Sequence, residues 1–169
     1  TATAVDYLLQ PYLPAVDSAP LLSRLVNRQF VRRDTGRYSL HQVDREYALM
    51  RIPAGELSDR EESGIPLFTR HALWERAADY FKQIRLPREQ WKKLEDLEAQ
   101  LVEIELRCAA GDHDAAAWVL LKIDYDHLFL WGHYRLLVGQ YLRLIDAVQD
   151  KKLKAGCLTG LGNAYSSLG

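Results

Sequence analysis

Leu94-Glu-Asp-Leu-Glu-Ala-Gln-Leu-Val-Glu-Ile-Glu-Leu-Arg-Cys-Ala-Ala-Gly111 is the stretch that decides the fold class. Its apolar positions Leu94, Leu97, Leu101, Ile104 and Cys108 recur in steps of three and four, the spacing that gathers side chains on one face of an α-helix. Such a face leaves water only by packing on a neighbour, so further helices are expected around it. Gly111 is placed to end the helix.

Reading outward from this stretch gives more helix. Ala115 to Ile123 reads as a short one, and Leu128, Trp131, Tyr134, Leu137, Tyr141, Leu144 and Val148 mark a long one interrupted by Gly132. A last helix is expected from near Lys154 to the end of the chain. Upstream, Leu73, Trp74, Ala77, Phe81 and Ile84 form a stripe that Pro87 stops.

The segment from Pro53 to Pro66 is polar, bounded by prolines and broken by Gly55 and Gly64, which reads as a surface linker. Lysine usage agrees with a division, because residues 1 to 81 contain none and all seven lie from Lys82 onward. Before the linker, Val5, Leu8, Leu9 and Tyr12 are spaced as one helical face, closed off by Pro11 and Pro14. A second helix carries Leu21, Leu22, Leu25 and Val26, with Asp17 or Ser18 able to cap it and Pro20 tolerated in its first turn. Residues 29–33 and 37–41 then flank Asp34-Thr-Gly36, a hairpin signal in which Gly36 can take the positive φ of the turn. A helix from Val43 to Ile52 follows.

This order is that of a winged-helix domain without its first helix. The expected organisation is a truncated winged helix over residues 1–52, a linker over 53–66, and a helical spacer with repeat-like helices over 67–169. The chain is accordingly expected to begin within a domain, as an excised intracellular segment without a signal peptide.

Composition narrows the function. Of 169 residues 48% are apolar, and 22 Lys+Arg stand against 23 Asp+Glu, so the chain can build a core and is not the strongly basic domain that nucleic-acid binders usually are. Apolar runs such as Trp118–Leu121 are far shorter than the roughly 18 residues of a membrane span, and a cytoplasmic location is expected. The two cysteines, Cys108 and Cys157, are not closely paired, which argues against a disulfide framework or a zinc site.

Residues 157–169, Cys-Leu-Thr-Gly-Leu-Gly-Asn-Ala-Tyr-Ser-Ser-Leu-Gly, resemble the first helix of a tetratricopeptide repeat, with Leu161, Gly162, Tyr165, Leu168 and Gly169 at the signature positions. The resemblance implies that Gly162 admits a neighbouring helix, Tyr165 fills a groove and Gly169 closes the helix. Ala110–Ala117 and Gly132–Leu137 resemble the turn and second helix of divergent repeats, although their spacings of 21 and 37 residues depart from the period of about 34.

Gly36-Arg-Tyr-Ser-Leu-His-Gln-Val-Asp-Arg-Glu-Tyr-Ala48 resembles the end of the nucleotide-binding apparatus of STAND signalling ATPases of the NB-ARC type. There a strand enters a Met-His-Asp motif and then a helix. Here the motif reads Leu40-His41-Gln42, with Gln42 in place of the aspartate. The resemblance implies that His41 faces the β-phosphate of ADP and holds a closed resting state. The phosphate-gripping Gly-x-x-x-x-Gly-Lys-Ser/Thr loop does not occur in these residues. ADP or ATP would therefore be held by an upstream nucleotide-binding domain, and no cofactor or catalytic residue is read in this segment. The expected partners are that domain, a protein or peptide ligand on the repeats, and further copies through self-assembly.

Other constellations are weighed on their chemistry. Arg24, Arg28, Arg32, Arg33 and Arg37 form the basic cluster, placed where a winged-helix regulator contacts DNA, and equally suited to a solvated face or an interface with the upstream domain. DNA binding is thus the alternative function, and a scaffold built from the repeats is a third. Asp112-His113-Asp114 and Asp124–His127 read as caps and turn residues rather than metal ligands. Trp91, Trp118, Trp131, Tyr134 and Tyr141 read as inter-helix packing. No nucleophile sits in a Gly-x-Ser-x-Gly turn, and no paired-carboxylate pattern stands out.

Overall fold

The computed structural model describes residues 1–55 and 67–169. Of the described residues 68% are helical, and the sheet among them is one two-stranded antiparallel hairpin, so the mostly-α expectation holds. Contacts gather the residues into two compact units, Thr1–Tyr80 and Phe81–Gly169. This division falls inside a helix, whereas the sequence placed it in the linker; residues 56–66 of that linker lie outside the described residues.

In the first unit, α1 (Ala2–Leu9) and α2 (Ser18–Asn27) pack together, joined through buried Ser18. The Ser18 amide donates to Asp6 Oδ1 at 2.8 Å and its hydroxyl donates to the Ala2 carbonyl at 3.0 Å. Asp17 caps α2 by accepting from the Ala19 amide, which places Pro20 in the first turn as read from the sequence. The end of α2 folds back on itself: the Gln29 amide donates to the Val26 carbonyl and the Phe30 amide to the Leu25 carbonyl, with Gln29 at φ 63°. That is a Schellman closure made without glycine.

Strands β1 (Val31–Asp34) and β2 (Arg37–Leu40) pair with Val31 opposite Leu40 and Asp34 opposite Arg37. Thr35 and Gly36 both have positive φ, as a two-residue type I′ connection requires. Helix α3 (Gln42–Arg51) follows directly; its stripe Val43, Tyr47 and Met50 is 65%, 58% and 74% exposed.

Helix α4 (Arg70–Gln83) explains why the unit boundary lies so late. Arg76 donates from Nη2 to the Tyr7 carbonyl at 2.5 Å and from Nε to the Leu8 carbonyl at 3.2 Å, with its guanidinium 4.9 Å from the Tyr7 ring centre. The last carbonyls of α1 have no partner within their own helix, and a cation there also meets the negative end of the helix dipole. Arg76 thus ties α4 to α1, and the Tyr80 ring adds a second contact, 5.4 Å from the Tyr7 ring.

In the second unit, 3₁₀ turns at Arg88–Gln90 and Leu94–Leu97 lead into α5 (Glu98–Ala109), followed by α6 (His113–Ile123). Helix α6 continues as a π-helical stretch, Asp124–Phe129, before α7 (Tyr134–Leu144) and α8 (Lys151–Leu168). Helices α5 and α6 pack as a hairpin about residues 110–112, α7 packs on α8, and α8 also packs on α6. Leu97, Ile104, Leu120, Ile123, Tyr141 and Cys157 are among the fully buried side chains at the centre.

Gly111 and Gly132 both have φ near +80° and close Schellman motifs. The Asp112 amide donates to the Arg107 carbonyl, and the His133 amide to the Leu128 carbonyl. The sequence joined Leu128–Val148 into one interrupted helix. Here Leu128 and Phe129 belong to the π-helical extension of α6, Gly132 is a true stop, and Val148 lies in the loop beyond α7. Helix α8 starts at Lys151 rather than Lys154, because the Asp150 carboxylate accepts from the Lys152 and Leu153 amides.

Candidate functional site

The hairpin carries its cations on two faces. Residues directly opposite one another in an antiparallel pair share a face, and successive residues alternate. Arg33 therefore lies on the Val31 face and sits 5.7 Å over the Tyr38 ring, while Arg32 and Arg37 share the other face with Asp34. Arg24 lies in the last turn of α2 and Arg28 at its C-cap. All five are exposed, and the three on the hairpin divide between its two faces.

His41 lies between β2 and α3, exposed, as the N-cap of α3 without a capping bond from its imidazole. The neighbouring Gln42 donates to Glu46 Oε1 at 3.0 Å, one turn along α3. In the 157–169 segment, Leu161 packs partly buried against the core, Tyr165 and Leu168 are exposed, and Gly162 has open space where a Cβ would stand. The close approaches in α8 are made instead by Gly156, against Leu121, and by Gly160, against Tyr141.

The acidic pairs in the loops have structural work. Asp112 caps α6 by accepting from the Ala115 amide at 3.2 Å. Asp114 accepts from the Gln149 and Asp150 amides, fastening the α7–α8 loop to the start of α6. Asp124 accepts the hydroxyl of fully buried Tyr141 at 2.5 Å. Burial and this acidic partner raise the Tyr141 hydroxyl far above its ordinary value. Among the described residues no group of three or more His, Cys, Asp or Glu could hold a metal ion.

His127 lies between two indoles, 5.0 Å from the Trp91 ring and 5.2 Å from the Trp131 ring, with Nδ1 buried and unpartnered. Burial, and then the Arg88 guanidinium, lower its pKa against the opposing pull of Asp126. Trp91 and Trp131 thus pack as expected from the sequence. Trp118 does not: it is 50% exposed, with Lys122 Nζ 5.2 Å from its ring centre. The buried face of α6 is set by Ala116, Ala117, Leu120 and Ile123, and this turns Trp118 outward.

A cleft of about 280 Å³ is lined by residues of α5 and α6 together with Lys82 and Arg85 from the end of α4 and just beyond it. Glu103, 1% exposed, accepts from Arg107 Nε at 2.9 Å, one turn along α5, and from Arg85 Nη2. A buried carboxylate persists only when charges and hydrogen bonds surround it. Lys82, Arg85, Arg107 and Trp118 complete the polar and aromatic part of the lining. The Glu103–Arg107 spacing is visible in the sequence as an i, i+4 pair, but Arg85 arrives only through folding.

Comparison with protein-family models, with curated proteins and with solved structures finds no match to this chain. Among the described residues, no helix is long and apolar enough to cross a membrane.

Proposed function

We propose that this chain is a regulatory segment of a STAND-type signalling ATPase. A protein or peptide ligand binds the repeat-like helices of residues 81–169, and the residue 1–52 region, acting as a winged helix, relays that event to the ADP-bound resting state. Exposed His41 carries the reading: it stands at a strand-to-helix junction with its imidazole not engaged in capping α3, so it is available to a phosphate on an adjoining domain. The stacked pairs α5–α6 and α7–α8 support the sensing half, since such stacks present extended binding surfaces. Ligand binding would shift the population from closed to open and permit nucleotide exchange and self-assembly.

The test is the nucleotide content of the full-length protein, wild type and His41→Ala, by heat release and chromatography. ADP kept by the wild type and lost from the variant supports the switch. Equal ADP in both removes His41 from it, and nucleotide in neither removes the ATPase reading.

A DNA-binding regulator is the second reading, favoured by the exposure of Arg24, Arg28, Arg32, Arg33 and Arg37. It requires DNA affinity that falls steeply with salt and drops in Arg28→Ala and Arg37→Ala. A flat gel-shift titration ends it.

A further inference from the structure

The cleft around Glu103 is built more elaborately than a structural ion pair needs. Both carboxylate oxygens are already taken by guanidiniums, yet the lining adds a third cation, Lys82, which is exposed. The lining thus holds three cations and one carboxylate. Arg107 also reaches Asp112 Oδ2, at a long 3.5 Å. The Arg85 Nε–H is buried with no hydrogen-bond partner among the described residues. An orphaned charged donor in a partly desolvated cationic cleft is unfavourable until an acceptor arrives. Beside it stands half-exposed Trp118, a large rigid surface of the kind that anchors partner chains.

We propose that this cleft binds a carboxylate side chain from an acidic peptide segment, with Arg85 and Lys82 donating to the carboxylate and Trp118 packing against the flanking residue. The proposal rests on the reading of residues 81–169 as a peptide-sensing unit and names the chemistry of its ligand. A volume of about 280 Å³ lies below the ~300–1,000 Å³ of pockets for drug-sized molecules, so it suits one side chain of a longer partner. The ligand must be anionic because the carboxylate within the cleft is already neutralised and the surplus charge is positive.

The experiment is an NMR titration of the whole 169-residue chain, following the Arg85 Nε–H and Trp118 Nε1–H signals. The probes are acetyl-triglutamate amide, acetyl-triglutamine amide and inorganic phosphate. Saturable shifts of both signals with the glutamate peptide alone are expected. Lys82→Gln and Trp118→Ala change exposed side chains and leave the Glu103 pairs intact, so folded variants are expected, each binding about tenfold more weakly.

Absence of saturation, or affinity unchanged in both variants, overturns the proposal. Phosphate shifting the same signals as tightly as the glutamate peptide also overturns it, leaving a small-anion site. A glutamate peptide that shifts only signals elsewhere in residues 81–169 refutes the cleft while leaving the sensing reading standing. The nucleotide experiment tests that reading separately.

Discussion

Gly160 and Gly162 lie two residues apart in the same helix, and changing each to Ala is expected to move stability in opposite directions. A Cβ on Gly160 would overlap the hydroxyl end of the Tyr141 ring, with Cε2 at 2.8 Å, while a Cβ on Gly162 meets nothing within 4 Å. Tyr141 yields only at a cost. It is fully buried and its hydroxyl is held by Asp124, so moving the ring breaks a bond to a charged acceptor. Overpacking of this kind costs about 1–3 kcal/mol, and losing the bond about 1.5–3 kcal/mol more if the ring swings away. Against this, Ala in place of Gly in a helix interior contributes up to about 1 kcal/mol. Gly160→Ala is therefore expected to lose about 2 kcal/mol, and Gly162→Ala to gain about 0.5–1 kcal/mol.

Urea unfolding followed by tryptophan fluorescence reports on the right unit, since Trp91, Trp118 and Trp131 lie in it and only Trp74 lies in the other. With a urea slope of about 1–3 kcal/mol/M, the Gly160→Ala midpoint should fall by about 1 M and that of Gly162→Ala should rise slightly. A Gly160→Ala protein as stable as wild type would refute the packing of α8 on Tyr141.

Glu103 and Glu105, two residues apart on α5, should also differ. Glu103→Ala strands two guanidiniums around a buried site and is expected to lose about 2–4 kcal/mol, whereas Glu105→Ala removes only the exposed 3.8 Å pair with Arg143 and should cost under about 1 kcal/mol, both read by urea titration. Gln29 holds a left-handed conformation that glycine adopts without strain, so Gln29→Gly should stabilise the first unit by about 0.5–1 kcal/mol, read as a raised midpoint in thermal unfolding.

His127 gives the pH dependence. Its folded pKa lies below the ordinary 6.5, so as pH falls the unfolded chain takes the proton first; stability is full above about pH 6.5 and declines below it until the folded group titrates. His127→Phe should flatten urea midpoints measured across pH 7.5 to 5. Cys157, pushed up to about 11 by burial and by Asp124, and Cys108, raised mainly by burial, should react slowly with a thiol reagent at pH 8 and rapidly in urea.

Most elements of this fold are legible in the chain because they depend on near neighbours. The Leu101–Cys108 stripe, the Asp17 cap, the Asp-Thr-Gly turn and the stop at Gly111 are each written within a few residues and stand where local chemistry puts them, while Leu94 and Leu97, expected in the same helix, fall in the 3₁₀ turn before it. The start of α8 at Lys151, capped by Asp150, is just as local, a cap-and-amide pattern readable three residues earlier than the apolar spacing suggests. The π-helical run after Ile123 is different: its apolar positions continue the periodicity of the next helix, and only the closure at Gly132 assigns them to α6. The hairpin cations show a second limit, because Arg32, Arg33 and Arg37, close in sequence, separate onto two faces once the strands pair.

By itself, then, the sequence determined the helical class, the hairpin and the caps, since hydrogen bonds and periodicity over one to four residues carry that information. Tertiary structure alone decided that α4 belongs with α1, that Trp118 faces outward, and that Arg85 meets Glu103 eighteen residues away. Each is a pairing between groups distant in the chain, chosen because a charge or carbonyl without a local partner must find one elsewhere when the chain leaves water.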